Sequence, residues 1–232
     1  MKASQLFRLP KSLPFSEFFD SEEAPWEWVS KIERALLEWF GLDRPINRES
    51  RIDGVFGSDL VFIHESVKLP SHYEIAGPCY IGEGTEVRPG AYIRGNVIVG
   101  RECVLGNSCE YKNCLLMDRV ETAHFNYIGD SVLGSNAHLG AGAVLSNLRL
   151  NKDEIRVTIS GRRVSTGRRK LGALLGEGSQ VGCNAVLQPG TILGKGSMVL
   201  PAVAFGGSLP ENAIAMIGGQ IQKAALEGEE QV

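Results

Sequence analysis

Residues 63–105 of this 232-residue chain read IHESVKLPSHYEIAGPCYIGEGTEVRPGAYIRGNVIVGRECVL, and an aliphatic residue returns at every sixth position. The repeated positions are Ile63, Leu69, Ile75, Ile81, Val87, Ile93, Val99 and Leu105. This period fits neither an α-helix nor a plain strand. It is typical of a solenoid, in which each short strand points one side chain into a shared core before the chain turns a corner. The stretch therefore predicts an all-β fold, a triangular β-solenoid.

The six-residue spacing fails in two places. Between Leu105 and Leu133 it is not a multiple of six, which predicts about four extra residues and a loop leaving the solenoid at residues 117–127. Over residues 148–170 the repeat disappears and basic residues collect around a Ser160-Gly161 turn signal, so we expect an extruded β-hairpin. The repeat then resumes, which places solenoid coils over residues 61–210 and a tail over 211–232.

Residues 1–60 differ in kind from the repeats. Val29, Ile32 and Leu36 have helical spacing, and Gly41 is a stop signal, so a small N-terminal helical cap is expected. Three tryptophans fall on this helix, which suits either a stacking platform for a ligand or packing onto the open first coil. We favour packing, because solenoid ends need covering. The tryptophans are Trp26, Trp28 and Trp39.

Composition limits the class of protein. With 43% hydrophobic residues and a net charge of −3, the chain is expected to be globular and cytoplasmic, with neither nucleic acid nor membrane as a partner. The five cysteines are odd in number and scattered among the repeats, so reduced thiols are expected rather than disulfides. The spacing of Cys and His residues does not predict a metal site.

His124 lies within the predicted loop, with Tyr127 and Asp130 close behind it, and an imidazole that titrates near neutral pH suits a general base. The segment AHFNYIGDSVLG at 123–134, followed by LGAG at 139–142 and by Asn147, resembles the acetyltransferase half of the bifunctional amino-sugar-1-phosphate acetyltransferases and uridylyltransferases. It is particularly similar to archaeal-type members of that family. The resemblance extends over residues 75–210.

The resemblance implies a left-handed parallel β-helix that forms a homotrimer, with active sites between subunits. The implied reaction transfers an acetyl group from acetyl-CoA to the amine of glucosamine- or galactosamine-1-phosphate, a step of nucleotide-sugar synthesis. No metal takes part in it. About sixty residues before the solenoid are too few for a nucleotidyltransferase domain, so uridylyltransferase activity is not expected.

Matching the family motif residue by residue assigns candidate roles. His124 matches the general base, Tyr127 and Asn147 match the residues that contact the amino sugar, and Lys112 matches a ligand of the sugar phosphate. A backbone amide near Ala141 would stabilise the oxyanion. His138 departs from the family, which usually has Asn there, and could act on the acceptor or be structural.

Further cations suit the phosphates of the two substrates. Arg94 lies eighteen residues before Lys112, which is about one coil, so the two side chains are expected to be stacked. Two stacked cations suit a phosphate. Arg88 is a rival for this role, but its offset from Lys112 is not a whole coil. The basic run at the end of the predicted hairpin is either a solvated charged segment or a site for the CoA phosphates; it consists of Arg168, Arg169 and Lys170.

Two other functions fit parts of the sequence. A metal hydratase resembling the γ-carbonic anhydrases shares the solenoid fold, but it needs three His ligands, and His124 and His138 are the only plausible pair. A non-catalytic module that binds a sugar nucleotide or belongs to a larger assembly is the stronger alternative, because His138 departs from the family pattern.

Overall fold

The computed structural model describes residues 1–42, 51–52, 55–56, 60–217 and 221–223. Short parallel strands stack in successive coils, and three strands per coil form three faces of one column, here named faces A, B and C in chain order. The predicted parallel β-helix with an N-terminal helix is confirmed.

The strands of the column are as follows. Face A contains Glu74–Ala76, Tyr92–Ile93, Val144–Leu145, Val186–Leu187 and Ala204–Phe205. Face B contains Val61–Ile63, Cys79–Ile81, Val97–Val99, Ala173–Leu175, Thr191–Leu193 and Ser208–Leu209. Two longer strands run from face A around the corner onto face B, Glu110–Leu116 and Tyr127–Leu133. Face C contains Glu86–Val87, Val104–Asn107, Glu121–His124, His138–Leu139, Gln180–Val181, Met198–Val199 and Ala213–Ala215.

The remaining elements flank the column or extend its sheets. A 3-10 helix spans Ala3–Gln5 and the α-helix spans Glu27–Trp39. Three antiparallel pairings complete the structure: Arg51–Ile52 with Val55–Phe56, Ile155–Ile159 with Arg162–Arg168, and Ile221–Lys223 with Ala213–Ala215. Within the described residues, no α-helix has the length and apolarity needed to span a bilayer.

The aliphatic repeat forms the core of the column. Ile75, Ile81, Ile93 and Val99 are fully buried there, as the six-residue spacing predicted. Leu69 is an exception and is 41% exposed, because it lies in the first described coil, where the bridge between Lys68 and Glu86 joins it only to the following coil.

The predicted loop at residues 117–127 is wrong. Strand pairing continues through it, with Glu121 beside Val104 and His124 beside Asn107. Pairing offsets of seventeen residues, as between Glu110 and Tyr127, show that two coils are each one residue shorter than eighteen. The register therefore changes by two single-residue deletions and not by an insertion.

Two polar residues in the core concealed this register. Tyr111 and Thr122 occupy inward positions in the two shortened coils and are fully buried. The Tyr111 hydroxyl lies 2.6 Å from Thr122 Oγ1 and accepts a hydrogen bond from the Gly106 amide at 3.0 Å. The buried polar atoms are thus paired, which removes most of the cost of burying them.

The N-terminal cap packs on the outside of face B and not on the open first coil. Trp28, Ile32 and Phe15 share one apolar cluster with the outward-facing residues of face B. Those outward residues are Tyr80, Ile98, Leu115, Val132, Leu174 and Ile192. Strands of face B are therefore apolar on both sides, because the column covers one side and the cap covers the other.

The hairpin of residues 155–168 also lies against the column instead of projecting freely. Ile155 and Val157 are buried in the cluster formed by the cap, and Arg168 Nη2 donates to Glu27 Oε2 at 2.9 Å. The hairpin, the α-helix and face B consequently form one packed unit.

The five cysteines are free thiols. Four are buried, and Cys183 is exposed. Burial raises the pKa of the Cys103 thiol to about 12, so this thiol stays protonated and unreactive at neutral pH.

Candidate active site

The two shortened coils bring polar side chains together at the corner between faces A and B. Asn113 and Asp130 both adopt a positive φ of 48° where the chain turns with one residue fewer. The buried Asp130 carboxylate accepts hydrogen bonds from Asn113 Nδ2 at 2.8 Å and from Asn147 Nδ2 at 2.5 Å. Lys112 Nζ lies 3.5 Å from Asp130 Oδ2. The buried charge is thereby compensated, and the Lys112 ammonium is held at this corner.

A cleft of about 370 Å³ opens beside Lys112, between the column and the cap. Arg94, Asn96 and Lys112 line it from the column, while Ser30 and Glu33 line it from the α-helix. Asn96 Nδ2 donates to Glu33 Oε1 at 3.3 Å. The cap therefore supplies one wall of the cleft, which the sequence did not indicate.

Arg94 and Lys112 lie together, and Arg88 does not join them. The pairing of Ile93 with Tyr111 places Arg94 one coil before Lys112. Arg94 Nη1 donates to Glu110 Oε1 at 2.6 Å, yet its guanidinium is half exposed and lines the cleft. Arg88 follows a strand of face C, where its side chain contacts Glu86 at 3.1 Å.

Tyr127 and Asn147 meet on the same corner. Asn147 Nδ2 donates to the Tyr127 hydroxyl at 3.2 Å. A Cβ atom on Gly129 would lie 2.6 Å from this hydroxyl and 2.7 Å from Asn147 Nδ2, so glycine makes room for the pair. Burial, reinforced by the Asp130 carboxylate, raises the pKa of the Tyr127 phenol, and the hydroxyl stays neutral at physiological pH.

His124 lies at the other edge of face A, at the corner between faces C and A. It ends the strand Glu121–His124, and its side chain is exposed. The Gly142 amide donates to the His124 carbonyl at 3.0 Å, which fixes the corner. Asp130 lies across face A and contacts Asn113 and Asn147, so it does not orient the imidazole.

Ala141 is the neighbour of His124 in the next coil. Glu121 pairs with His138 in the next coil, and Ala141 follows His138 by the same three residues by which His124 follows Glu121. Ala141 therefore lies beside His124. Among the described residues, the Ala141 amide donates to no oxygen, whereas its carbonyl accepts from the Asn184 amide at 2.8 Å. A free N–H group next to an exposed imidazole can stabilise an oxyanion.

His138 is not part of this corner. It lies on face C beside Glu121 and lines a separate groove with Arg119 and Gln180. Over the ranges that the structure describes, no group of three or more His, Cys, Asp or Glu side chains could hold a metal ion.

The basic run at the end of the hairpin is partly engaged within the chain. Arg168 contacts Glu27, as described above, and Arg169 Nε donates to the Lys152 carbonyl at 3.1 Å. Lys170 is exposed, and its backbone bridges to Leu148. These residues lie at the corner between faces A and B, on the same side as Asn147.

Comparison with known proteins identifies relatives of this chain. Residues 75–171 match the family described as the GMPPB C-terminal domain. A bifunctional sugar-1-phosphate nucleotidylyltransferase/acetyltransferase of Sulfurisphaera tokodaii is 37% identical over 70% of this chain and 45% of its own length. The bifunctional protein GlmU of Methanococcus vannielii is 34% identical over 49% of this chain and 27% of its own length. The chain thus spans less than half of these relatives.

Similar solved structures include the acetyltransferase domain of PglB from Neisseria gonorrhoeae in complex with acetyl coenzyme A. It is 17% identical, has a TM-score of 0.40, and the match covers 59% of this chain and 53% of that one. A putative acetyltransferase of Bacillus cereus is 15% identical with a TM-score of 0.40, and the match covers 71% of this chain and 77% of that one.

The sequence relatives agree with the resemblance found in the motif around His124. The motif lies inside the matched residues 75–171, and the S. tokodaii protein bears both activities in its name. The chain is similar in sequence to part of the bifunctional sugar-1-phosphate nucleotidylyltransferase/acetyltransferases.

Proposed function

We propose that this protein transfers the acetyl group of acetyl-CoA to the amine of an amino-sugar 1-phosphate, glucosamine- or galactosamine-1-phosphate. The observation that carries this proposal is the arrangement across face A, with two cations at one edge and an exposed imidazole at the other. A strand of three residues is about 10 Å long, and face A is about as wide as such a strand. The amine and the phosphate of a hexosamine 1-phosphate are on adjacent carbons. We therefore propose that the long Arg94 and Lys112 side chains extend over face A to hold the phosphate while the amine lies near His124.

The proposed chemistry uses His124 as the general base. The sugar amine reaches the site neutral and forms a C–N bond to the thioester carbon while the imidazole accepts the proton from nitrogen. The Ala141 amide donates to the resulting oxyanion. Collapse of the tetrahedral intermediate breaks the C–S bond, and the imidazolium returns its proton to the departing CoA sulfur. Tyr127 and Asn147 contact the amino sugar over face A.

Arg94 and Lys112 should contribute to binding of the sugar phosphate and not to the chemical step. We expect Lys112→Ala to raise KM for the sugar phosphate about tenfold or more with a small change in kcat, because a charge-assisted hydrogen bond to phosphate is lost in ground and transition states alike. Discrimination against the unphosphorylated amino sugar should weaken in parallel. Steady-state kinetics with both acceptors measure this.

Lys68→Ala is the matched control, since Lys68 is an exposed lysine at the first coil, away from the cleft. It should leave both constants unchanged. A normal KM with a reduced kcat in Lys112→Ala would contradict the assignment of this residue to phosphate binding.

We further propose that the active form is a homotrimer, with His124 facing a neighbouring subunit. The cap and hairpin cover face B, whereas faces A and C meet at His124 without such a cover in the described part of the chain. Acetyl-CoA would lie along this corner between two columns. Arg168, Arg169 and Lys170 lie at the corner between faces A and B, so the neighbouring subunit's copies of these residues are the proposed cations for its phosphates.

Assembly can be tested separately from chemistry. Light scattering should give the mass of three chains, and acetyl transfer should be lost in any variant that dissociates them. A monomer with full activity would place the whole site within one chain.

The reaction itself is tested by thiol release from acetyl-CoA in the presence of each amino-sugar 1-phosphate. Release of one CoA per N-acetylated sugar is the expected result. No acceptor-dependent release, combined with measurable sugar-phosphate binding, would favour the non-catalytic binding module instead.

A further inference from the structure

A second group of cations lies between the hairpin and the last described coils, apart from the acceptor cleft. Arg149, Arg156 and Arg163 line a groove of about 310 Å³. The opposite wall is glycine-rich and contains Gly190, Gly206 and Gly207. None of the three arginines forms an ion pair with a described residue.

Two of these arginines, Arg156 and Arg163, belong to the hairpin strands, and the hairpin register places them on the same side. Arg163 pairs with Thr158, and Arg156 pairs with Ser165, so these residues share one side of the hairpin. The opposite side carries the buried Val157.

Two contacts seat the hairpin on the column. Ser208 Oγ donates to the Thr158 carbonyl. A Cβ atom on Gly190 would lie 2.6 Å from Ile155 Cγ2, which shows how closely the hairpin approaches the coil. The hairpin backbone is therefore fixed against the column, and the exposed Arg156 and Arg163 side chains extend from it along the groove.

Arg149 Nη1 donates to the Glu154 carbonyl at 3.4 Å, and Arg156 and Arg163 are exposed, so the guanidinium groups are accessible to an external anion. The nearest acidic residue, Glu154, is occupied by Ser165 Oγ and by the Gly167 amide at 3.0 Å. Among the described residues, the Gly206 and Gly207 amides donate to no oxygen. Guanidinium groups bind phosphate oxygens in pairs of parallel hydrogen bonds, and consecutive backbone amides form concave anion sites.

We propose that this groove binds the diphosphate group of a nucleotide. Its volume and three arginines suit two linked phosphates better than a single one. Gln188 also lines the groove, and the strand pairing places it three coils after Lys112. At the usual spacing between strands, Gln188 and Lys112 are about 14 Å apart along the column. The groove is thus distinct from the acceptor cleft, and its existence does not depend on acetyl transfer.

Calorimetric titration of the full chain with inorganic pyrophosphate tests the site. The unaltered protein should bind pyrophosphate, Arg163→Ala should weaken binding at least tenfold, and Arg162→Ala should leave it within twofold. Arg162 is the matched control, because it is an exposed arginine that precedes Arg163 in the same strand and points to the other side. Thermal unfolding of all three proteins checks that each is folded.

Absence of binding to the unaltered protein, or equal weakening by both substitutions, would overturn the proposal. Repeating the titration with saturating CoA identifies the source of the diphosphate. Competitive displacement of pyrophosphate assigns the groove to the CoA diphosphate, whereas undiminished binding assigns it to a separate nucleotide, for which ADP is the next probe.

Discussion

Replacing His124 by alanine should lower kcat for acetyl transfer by about a hundredfold or more while the protein stays folded. General-base catalysis by a positioned imidazole contributes about 10²–10⁴-fold. The side chain is exposed and lies at a strand end, so its removal leaves no cavity in the core. The loss should therefore appear in kcat with a small change in KM for the sugar phosphate. Thiol-release kinetics and circular dichroism measure the two quantities.

His72→Ala is the control for this substitution. His72 is exposed and lies three coils before His124 along the column, so its loss should leave kcat unchanged. Normal turnover in His124→Ala would remove this residue from the mechanism even if the fold and the acceptor site were correct.

Replacing Trp28 by alanine should lower the free energy of unfolding by about 3–5 kcal/mol, the usual cost of removing a large aromatic side chain from a core. Trp28 is 1% exposed, and its ring centroid lies 5.5 Å from that of Phe7 and 5.2 Å from that of Phe19. Its indole Nε1 donates to the Asp20 carbonyl at 2.9 Å. Denaturant titration followed by circular dichroism measures the change.

Trp39→Ala provides a matched comparison on the same helix. Trp39 is 36% exposed, so its replacement should cost clearly less than that of Trp28. Equal losses, or a loss below about 1 kcal/mol for Trp28, would mean that Trp28 is not packed in the buried aromatic cluster as described.

The fold class was predictable because its signal is local. One inward aliphatic side chain per strand repeats along the chain, and Ile75 to Leu105 are buried as that repeat predicts. The register beyond Leu105 was not predictable by the same rule, since Tyr111 and Thr122 take inward positions with their polar atoms paired to each other. Neither residue is aliphatic, so the aliphatic repeat alone does not show the inward positions in these coils. Two coils that are each one residue short then look like a single insertion.

The position of the cap depends on a tertiary contact, yet a sequence signal for it existed. The strands Cys79–Ile81, Val97–Val99 and Ala173–Leu175 are apolar at every position and buried at every position. A column buries only one side of such a strand, so three consecutive apolar residues indicate that face B is covered from outside. The helix and the hairpin provide that cover.

The candidate site was predictable in part. The residues of the motif lie around one face, with His124 at one edge and Tyr127 and Asn147 toward the other. The single-coil offset brings Arg94 beside Lys112. The contribution of Glu33 from the helix joins segments more than sixty residues apart in the chain, and no local pattern encodes that contact. Asp130 is close to His124 in sequence, but the intervening strand carries it to the opposite edge of face A.

A crystal structure of the protein with CoA and glucosamine-1-phosphate tests the central proposal most directly. The predicted result has the phosphate within hydrogen-bonding distance of Arg94 and Lys112, and the amine within hydrogen-bonding distance of the His124 imidazole, with the CoA sulfur beside it. A sugar phosphate bound outside the cleft, or one bound in the cleft with its amine directed away from His124, would contradict the proposed reaction.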